Sequence, residues 1–169
     1  MLWVVRRRDL FAPGLAQVGL DPKRLLYAEA ADDAELLALM EEGLRHRGLG
    51  AVIGEARRAD MAATRRLQLA AEGGRTIALL LRRHKRNGAD PLGMPSAAIT
   101  RWQVGAAPST RLPVEGVGRP RWKLRLARQR GGEAGEWIVE ACDETGRCAL
   151  PADVAARSAA AGGANRKAA

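Results

Sequence analysis

Histidine, cysteine and single-ring aromatics are scarce in this chain of 169 residues, which holds two His, two Cys, one Tyr and one Phe beside four Trp. Cys142 and Cys148 flank the segment 143–147, and His46 and His84 stand apart, so the sequence offers no zinc ligand set. The two cysteines read as small apolar residues of a hairpin, with no disulfide between them. His46 belongs to a helix end and His84 to a basic loop, which leaves no Ser-His-Asp arrangement. Apolar runs of about 18 residues are missing as well, so no membrane span is predicted. The first residues, Met1-Leu2-Trp3-Val4-Val5-Arg6-Arg7-Arg8, place the basic cluster after the apolar run, the reverse of a signal peptide, and a cytoplasmic protein is expected. A Gly-x-x-x-x-Gly-Lys-Ser/Thr phosphate loop is also lacking, since Gly14 and Gly19 have the spacing but not the Lys and hydroxyl that follow. No cofactor is expected on these grounds, and no internal repeat is visible.

Positive charge is plentiful. The formal net charge is +9, and it is unevenly distributed. Residues 29–42 hold six acids and no base, residues 57–86 nine bases against two acids, and residues 101–130 eight bases against one acid. Such a balance favours polyanions or acidic protein surfaces as partners.

The chain is organised around residues 48–83. Ala51-Val52-Ile53-Gly54-Glu55 and Thr76-Ile77-Ala78-Leu79-Leu80-Leu81 do not alternate with polar residues, so both read as strands buried on both faces of a parallel sheet. Between them Asp60 can cap a helix ending at Gly73-Gly74, the pair supplying a left-handed exit. Ala63, Leu67, Ala70 and Ala71 make its apolar stripe, leaving Arg65, Arg66, Gln68 and Glu72 for solvent or a partner. Strand, helix and strand at this spacing make a right-handed crossover. Ligands of open α/β sheets bind at the carboxyl ends of the strands. Here those ends carry Glu55, Arg57 and Arg58, then Arg82, Arg83, His84, Lys85 and Arg86, which predicts an anionic ligand.

Before this unit, Leu2–Val5 reads as a strand, 13–18 as a short helix closed by Gly19, and Arg24–Ala28 as a second strand. Asp32 and Glu35 make an Asp-x-x-Glu capping box for a helix with Leu36, Leu37, Met40 and Leu44 inward, terminated at Gly48. After it, 82–95 is a loop rich in Gly, Pro and cations. Ala97–Gly105 alternates as an antiparallel strand, and 108–120 is a Pro- and Gly-containing connector. In Arg121–Arg130, Trp122, Leu124 and Leu126 are expected inward and Arg121, Lys123 and Arg125 outward, with Trp102 also directed into the core. Residues 131–135 form a hairpin loop, Glu136–Cys142 the return strand and 147–150 a short third piece. The predicted organisation is one α/β domain over 1–150 and a disordered Ala-rich tail over 151–169.

Four segments carry a family resemblance: Gly19-Leu20-Asp21-Pro22-Lys23-Arg24-Leu25-Leu26-Tyr27, Gly54-Glu55-Ala56-Arg57-Arg58, Thr64-Arg65-Arg66-Leu67-Gln68-Leu69-Ala70-Ala71 and Gly118-Arg119-Pro120-Arg121-Trp122. In order and spacing they resemble the ImuA family, RecA-like proteins of bacterial damage-induced mutagenesis that are also similar to the division inhibitor SulA. The resemblance covers about residues 2–150. It implies a RecA-like, mostly parallel sheet flanked by helices, with a C-terminal antiparallel β-hairpin extension.

The resemblance also places Glu55 at a degenerate Walker-B position, Arg6–Arg8 near the catalytic glutamate of RecA, and Arg83 near its nucleotide-sensing glutamine. The strand and phosphate loop that open a RecA core have no counterpart here, so the N-terminal portion is expected to be lacking. Guanidinium groups in place of carboxylate and amide leave little to hold Mg²⁺ or orient water, which predicts a pseudo-ATPase with no catalytic residue. The implied function is a non-catalytic accessory role in error-prone translesion DNA synthesis. The implied partners are an inactive polymerase-like protein (ImuB), an error-prone polymerase and RecA, with single-stranded DNA as a further candidate and no membrane. Arg82, Arg83, Lys85, Arg86, Arg121, Lys123 and Arg125 are the candidate DNA- or partner-binding residues. The alternative is a SulA-like inhibitor of the tubulin-like division GTPase.

Overall fold

The computed structural model describes residues 1–7, 9–83, 90–109 and 112–150. The expectations for Arg8, His84, Lys85, Arg86 and the tail 151–169 lie outside them. The described residues fall into two compact units, residues 1–12 with 21–99, and residues 13–20 with those from Thr100 onward.

The first unit carries the parallel sheet. Strands β1 (Leu2–Val5), β2 (Leu26–Glu29), β3 (Ala51–Glu55) and β4 (Ile77–Leu81) are all parallel, in the order β2-β1-β3-β4. Helices α2 (Asp33–Arg45) and α3 (Met61–Gly74) supply the core that one sheet face buries. Leu36, Met40 and Leu44 of α2 are fully buried and share a cluster with Val4, Val52, Ala63, Leu67 and Ala70. Those α2 residues fall at i, i+4 and i+8, one stripe of a helix, which is why the 3.6-residue period finds them.

Both helix starts follow their caps. Asp32 accepts from the Glu35 amide at 2.9 Å, and Asp60 from the Ala63 amide at 2.7 Å. The Glu35 carboxylate reaches back to the Ala31 amide at 2.7 Å, one residue short of a strict capping box. Helix α2 ends at Arg45 rather than at Gly48, with His46 as its last cap.

The left-handed exit of α3 is made by Arg75, φ 54°, whereas Gly73 and Gly74 stay inside the last turn. Gly74 is kept for closeness instead, because a Cβ there would overlap the Leu44 carbonyl oxygen of α2. Gln68 is buried, not solvated; it accepts from Arg65 at 2.8 Å and donates to Glu72 at 2.6 Å. Strand β3 is buried on both faces, but β4 alternates, with Ile77, Leu79 and Leu81 exposed and Ala78 and Leu80 packed on the core. β4 is the edge strand and one of its two faces is exposed, so a continuous apolar run does not guarantee two covered faces.

The second unit carries an antiparallel sheet in the order β5-β6-β7, formed by β5 (Thr100–Ala107), β6 (Arg121–Gln129) and β7 (Gly135–Glu140). A single bridge, Glu140 to Ala149, extends it beyond β7. Residues 13–17 of the short helix α1 (Ala12–Gln17) and the turn at Gly19, φ 82°, group with this unit. The described residues are thus α/β, a parallel sheet flanked by helices and followed in the chain by an antiparallel sheet.

Candidate functional site

The carboxyl ends of β1, β3 and β4 bring a ring of arginines to one end of the parallel sheet, and Asp33 organises part of it. The Arg6 guanidinium meets the Asp33 carboxylate at 3.0 Å, and the Arg58 amide donates to its other oxygen at 2.9 Å. One carboxylate in the first turn of α2 therefore ties down the loops leaving β1 and β3. Burial raises the Asp33 pKa. The amides of Arg58 and Arg57 and the Arg6 guanidinium together outweigh it and hold the carboxyl below the usual carboxylate range. The sequence marks Asp33 only as the second of two consecutive aspartates at a helix start, and the capping box draws attention to the first.

Glu55 and Arg83, singled out separately in the sequence, meet in space. The Arg83 guanidinium lies 2.9 Å from the Glu55 carboxylate and 3.6 Å from that of Asp9. Glu55 leaves the end of β3 and Arg83 follows the end of β4, so register makes the pair, since Glu55 lies opposite Leu81. In the sequence Asp9 simply follows the first strand's carboxyl end, and nothing in its own segment marks a partner so far along the chain. Arg82 donates to the Arg57 carbonyl at 3.1 Å and so braces the loop after β3. Although it is paired, Arg83 keeps 69% of its side-chain surface exposed. Among the described residues no cluster of three His, Cys, Asp or Glu could hold a metal ion. No helix among them is long and apolar enough to cross a membrane.

Arg121, Lys123 and Arg125 share one face of β6, as alternation requires, with Gln103 and Gly105 of β5 and Glu136, Ile138 and Glu140 of β7 beside them. Lys123 pairs with Glu136 at 2.8 Å, and Arg125 reaches Gln103 at 3.4 Å. Three cations thus face two carboxylates, which leaves this face far less positive than the sequence of β6 alone implies.

The opposite face holds Trp102, Val104, Trp122, Leu124, Leu126, Trp137 and Val139. Trp102 and Trp122 were expected inside, but they are 48% and 39% exposed, and Trp137 is 41% exposed. Leu126 and Val139 are buried while the indoles stay partly in solvent. Trp102 and Trp137 stack in a tilted pair with ring centroids 5.8 Å apart. Cations and indoles therefore lie on opposite faces of the same sheet.

No family model matches the chain. Over 146 residues, 83% of the chain, it is 43% identical to Protein ImuA of two Caulobacter vibrioides strains, NA1000/CB15N and ATCC 19089/CB 15, and this spans 60% of those proteins' length. Among solved structures, the flagellar accessory protein FlaH from Methanocaldococcus jannaschii matches 89% of the chain and 76% of its own at TM-score 0.50 and 10% identity, a likeness of fold. SulA from Pseudomonas aeruginosa matches 48% of the chain and 69% of its own at 30% identity and TM-score 0.43.

Proposed function

We propose, since the chain is an ImuA-like protein with a RecA-like sheet, that it is an accessory factor of damage-induced mutagenesis that works by binding rather than by catalysis. In the finer form of this reading it supports error-prone translesion synthesis, by contacts with an ImuB-like protein, an error-prone polymerase and RecA. The 43% identity to Protein ImuA is the observation that carries it.

The Glu55–Arg83 pair supports the non-catalytic half. A carboxylate at a Walker-B position holds Mg²⁺ or its water, and it cannot serve that role while an arginine occupies it at 2.9 Å. The second unit is poorly suited to stacking single-stranded DNA. Stacking platforms for single strands combine aromatics and cations along one groove, whereas the second unit divides them between two faces. Any DNA affinity would then rest on phosphate contacts from Arg83, Arg121, Lys123 and Arg125, weak and independent of sequence.

Co-purification of the tagged full chain from DNA-damaged cells tests the reading. Recovery of the ImuB-like protein or an error-prone polymerase is the expected result. Recovery of the tubulin-like division GTPase in their place would overturn it in favour of a division inhibitor.

A further inference from the structure

The two cysteines lie at the far edge of the antiparallel sheet, and the chain between them is tightly held. Cys142 follows β7 by two residues, and Cys148 precedes Ala149, whose carbonyl accepts from the Glu140 amide at 2.8 Å. Within the loop, the Asp143 amide donates to the Arg147 carbonyl at 3.1 Å, and the Gly146 amide to the Asp143 carbonyl at 2.9 Å. The Asp143 carboxylate accepts from the Thr145 amide at 2.9 Å, the Thr145 hydroxyl at 2.6 Å and the Arg147 amide at 3.1 Å. Outside it, Gly146 packs so closely on Gly19 that a Cβ on Gly19 would overlap the Gly146 nitrogen. With five backbone and side-chain bonds within residues 143–147, the flanking sulfurs lie 3.1 Å apart, both free, Cys148 exposed and Cys142 partly so.

We propose that Cys142 and Cys148 are an oxidation site, a preorganised dithiol that peroxide converts to an intramolecular disulfide. Closing the bond needs the sulfurs to approach by about 1 Å, within the reach of side-chain rotation at an exposed position. The balance is two thiols and one hydrogen peroxide to one disulfide and two waters. One sulfur attacks a peroxide oxygen, and the O–O bond breaks to release water, leaving a sulfenic acid. The second sulfur attacks that sulfur and expels its oxygen as the second water, with the thiol protons carried away in the two waters.

The hydrogen bond with Cys142, burial and the Asp143 carboxylate push the Cys148 pKa up. Either thiol can be the donor in that contact, so either sulfur can attack the peroxide and the other resolve the sulfenic acid.

The test is to treat the reduced full chain with hydrogen peroxide, alkylate the remaining thiols and digest with trypsin. Cleavage after Arg147 parts the two cysteines, so only a disulfide joins the peptides 131–147 and 148–157. The expected product is that joined pair, with a monomeric chain lighter by two hydrogens. Its formation should be on the order of tenfold faster in the folded chain than in urea, because the fold supplies the proximity. Cys148→Ser should stop at a sulfenic acid on Cys142 that a dimedone probe traps. Separate peptides bearing sulfinic or sulfonic acid, disulfide-linked dimers, or equal rates in urea would each overturn the proposal.

Discussion

Gly73 and Gly74 are adjacent, chemically identical and in the same helical turn, yet alanine should act on them in opposite directions. A Cβ at Gly73 meets nothing within 4 Å, so Gly73→Ala only restricts the unfolded chain and improves helix propensity. It should stabilise by about 0.5–1 kcal/mol. A Cβ at Gly74 falls on the Leu44 carbonyl oxygen, with the Leu44 carbonyl carbon at 3.0 Å. The obstacle is main chain where the last turns of α2 and α3 meet, so no rotamer change relieves it. Helices α2 and α3 would have to separate by roughly 1.5 Å, loosening contacts along the packed stripe. Overpacking of this kind costs about 3 kcal/mol, which exceeds the propensity gain several-fold. Urea denaturation followed by far-ultraviolet circular dichroism reads both variants, since α2 and α3 dominate the helical signal. The expected result is a higher midpoint for Gly73→Ala and a much lower one for Gly74→Ala. If Gly74→Ala lies within about 0.5 kcal/mol of the parent, the helices are not in the contact described.

Asp33→Asn should cost about 1–2 kcal/mol at pH 7, after allowing for the partial exposure of its pair with Arg6. Because the folded pKa is depressed, that contribution is present above the ordinary value of 3.8 and is lost as pH falls through the lower native value. The two stability curves should therefore converge in acid, and a constant gap down to that range would contradict the assignment. Isothermal calorimetry should detect no Mg²⁺-dependent ATP binding, and micromolar binding that needs Mg²⁺ would refute the non-catalytic reading. Any single-stranded DNA binding should weaken when Arg83, Arg121, Lys123 and Arg125 are replaced by Ala, with the log–log salt slope flattening by roughly 0.7 per lost phosphate contact. An unchanged slope would show that these side chains do not meet phosphate.

What was legible in the sequence was what a short period or a cap encodes. Leu36, Met40 and Leu44 announce α2, Asp32 and Asp60 announce helix starts, and the alternation in β6 sorts Arg121, Lys123 and Arg125 from Trp122, Leu124 and Leu126 onto the two faces observed. What was illegible depends on partners far along the chain. The apolar run of β4 cannot reveal that it is an edge strand, nor can the alternation of β6 reveal how little covers its apolar face. At the candidate site the types were readable and the pairings were not. Glu55 and Arg83 are 28 positions apart, Arg6 and Asp33 are 27 apart, and only the parallel register brings their loops together. Gly74 shows the same limit, because a glycine pair after a helix fits a left-handed exit until the position of α2 is known.

The central claim is a role in damage-induced mutagenesis that needs binding and not catalysis. The most direct measurement is the mutation frequency after ultraviolet irradiation in cells from which the coding gene has been deleted, complemented in turn with the parent chain and with Glu55→Gln. The account predicts that deletion abolishes the damage-induced rise in mutations and that both chains restore it equally. A rise that survives deletion, or that the parent chain restores and Glu55→Gln does not, would contradict it.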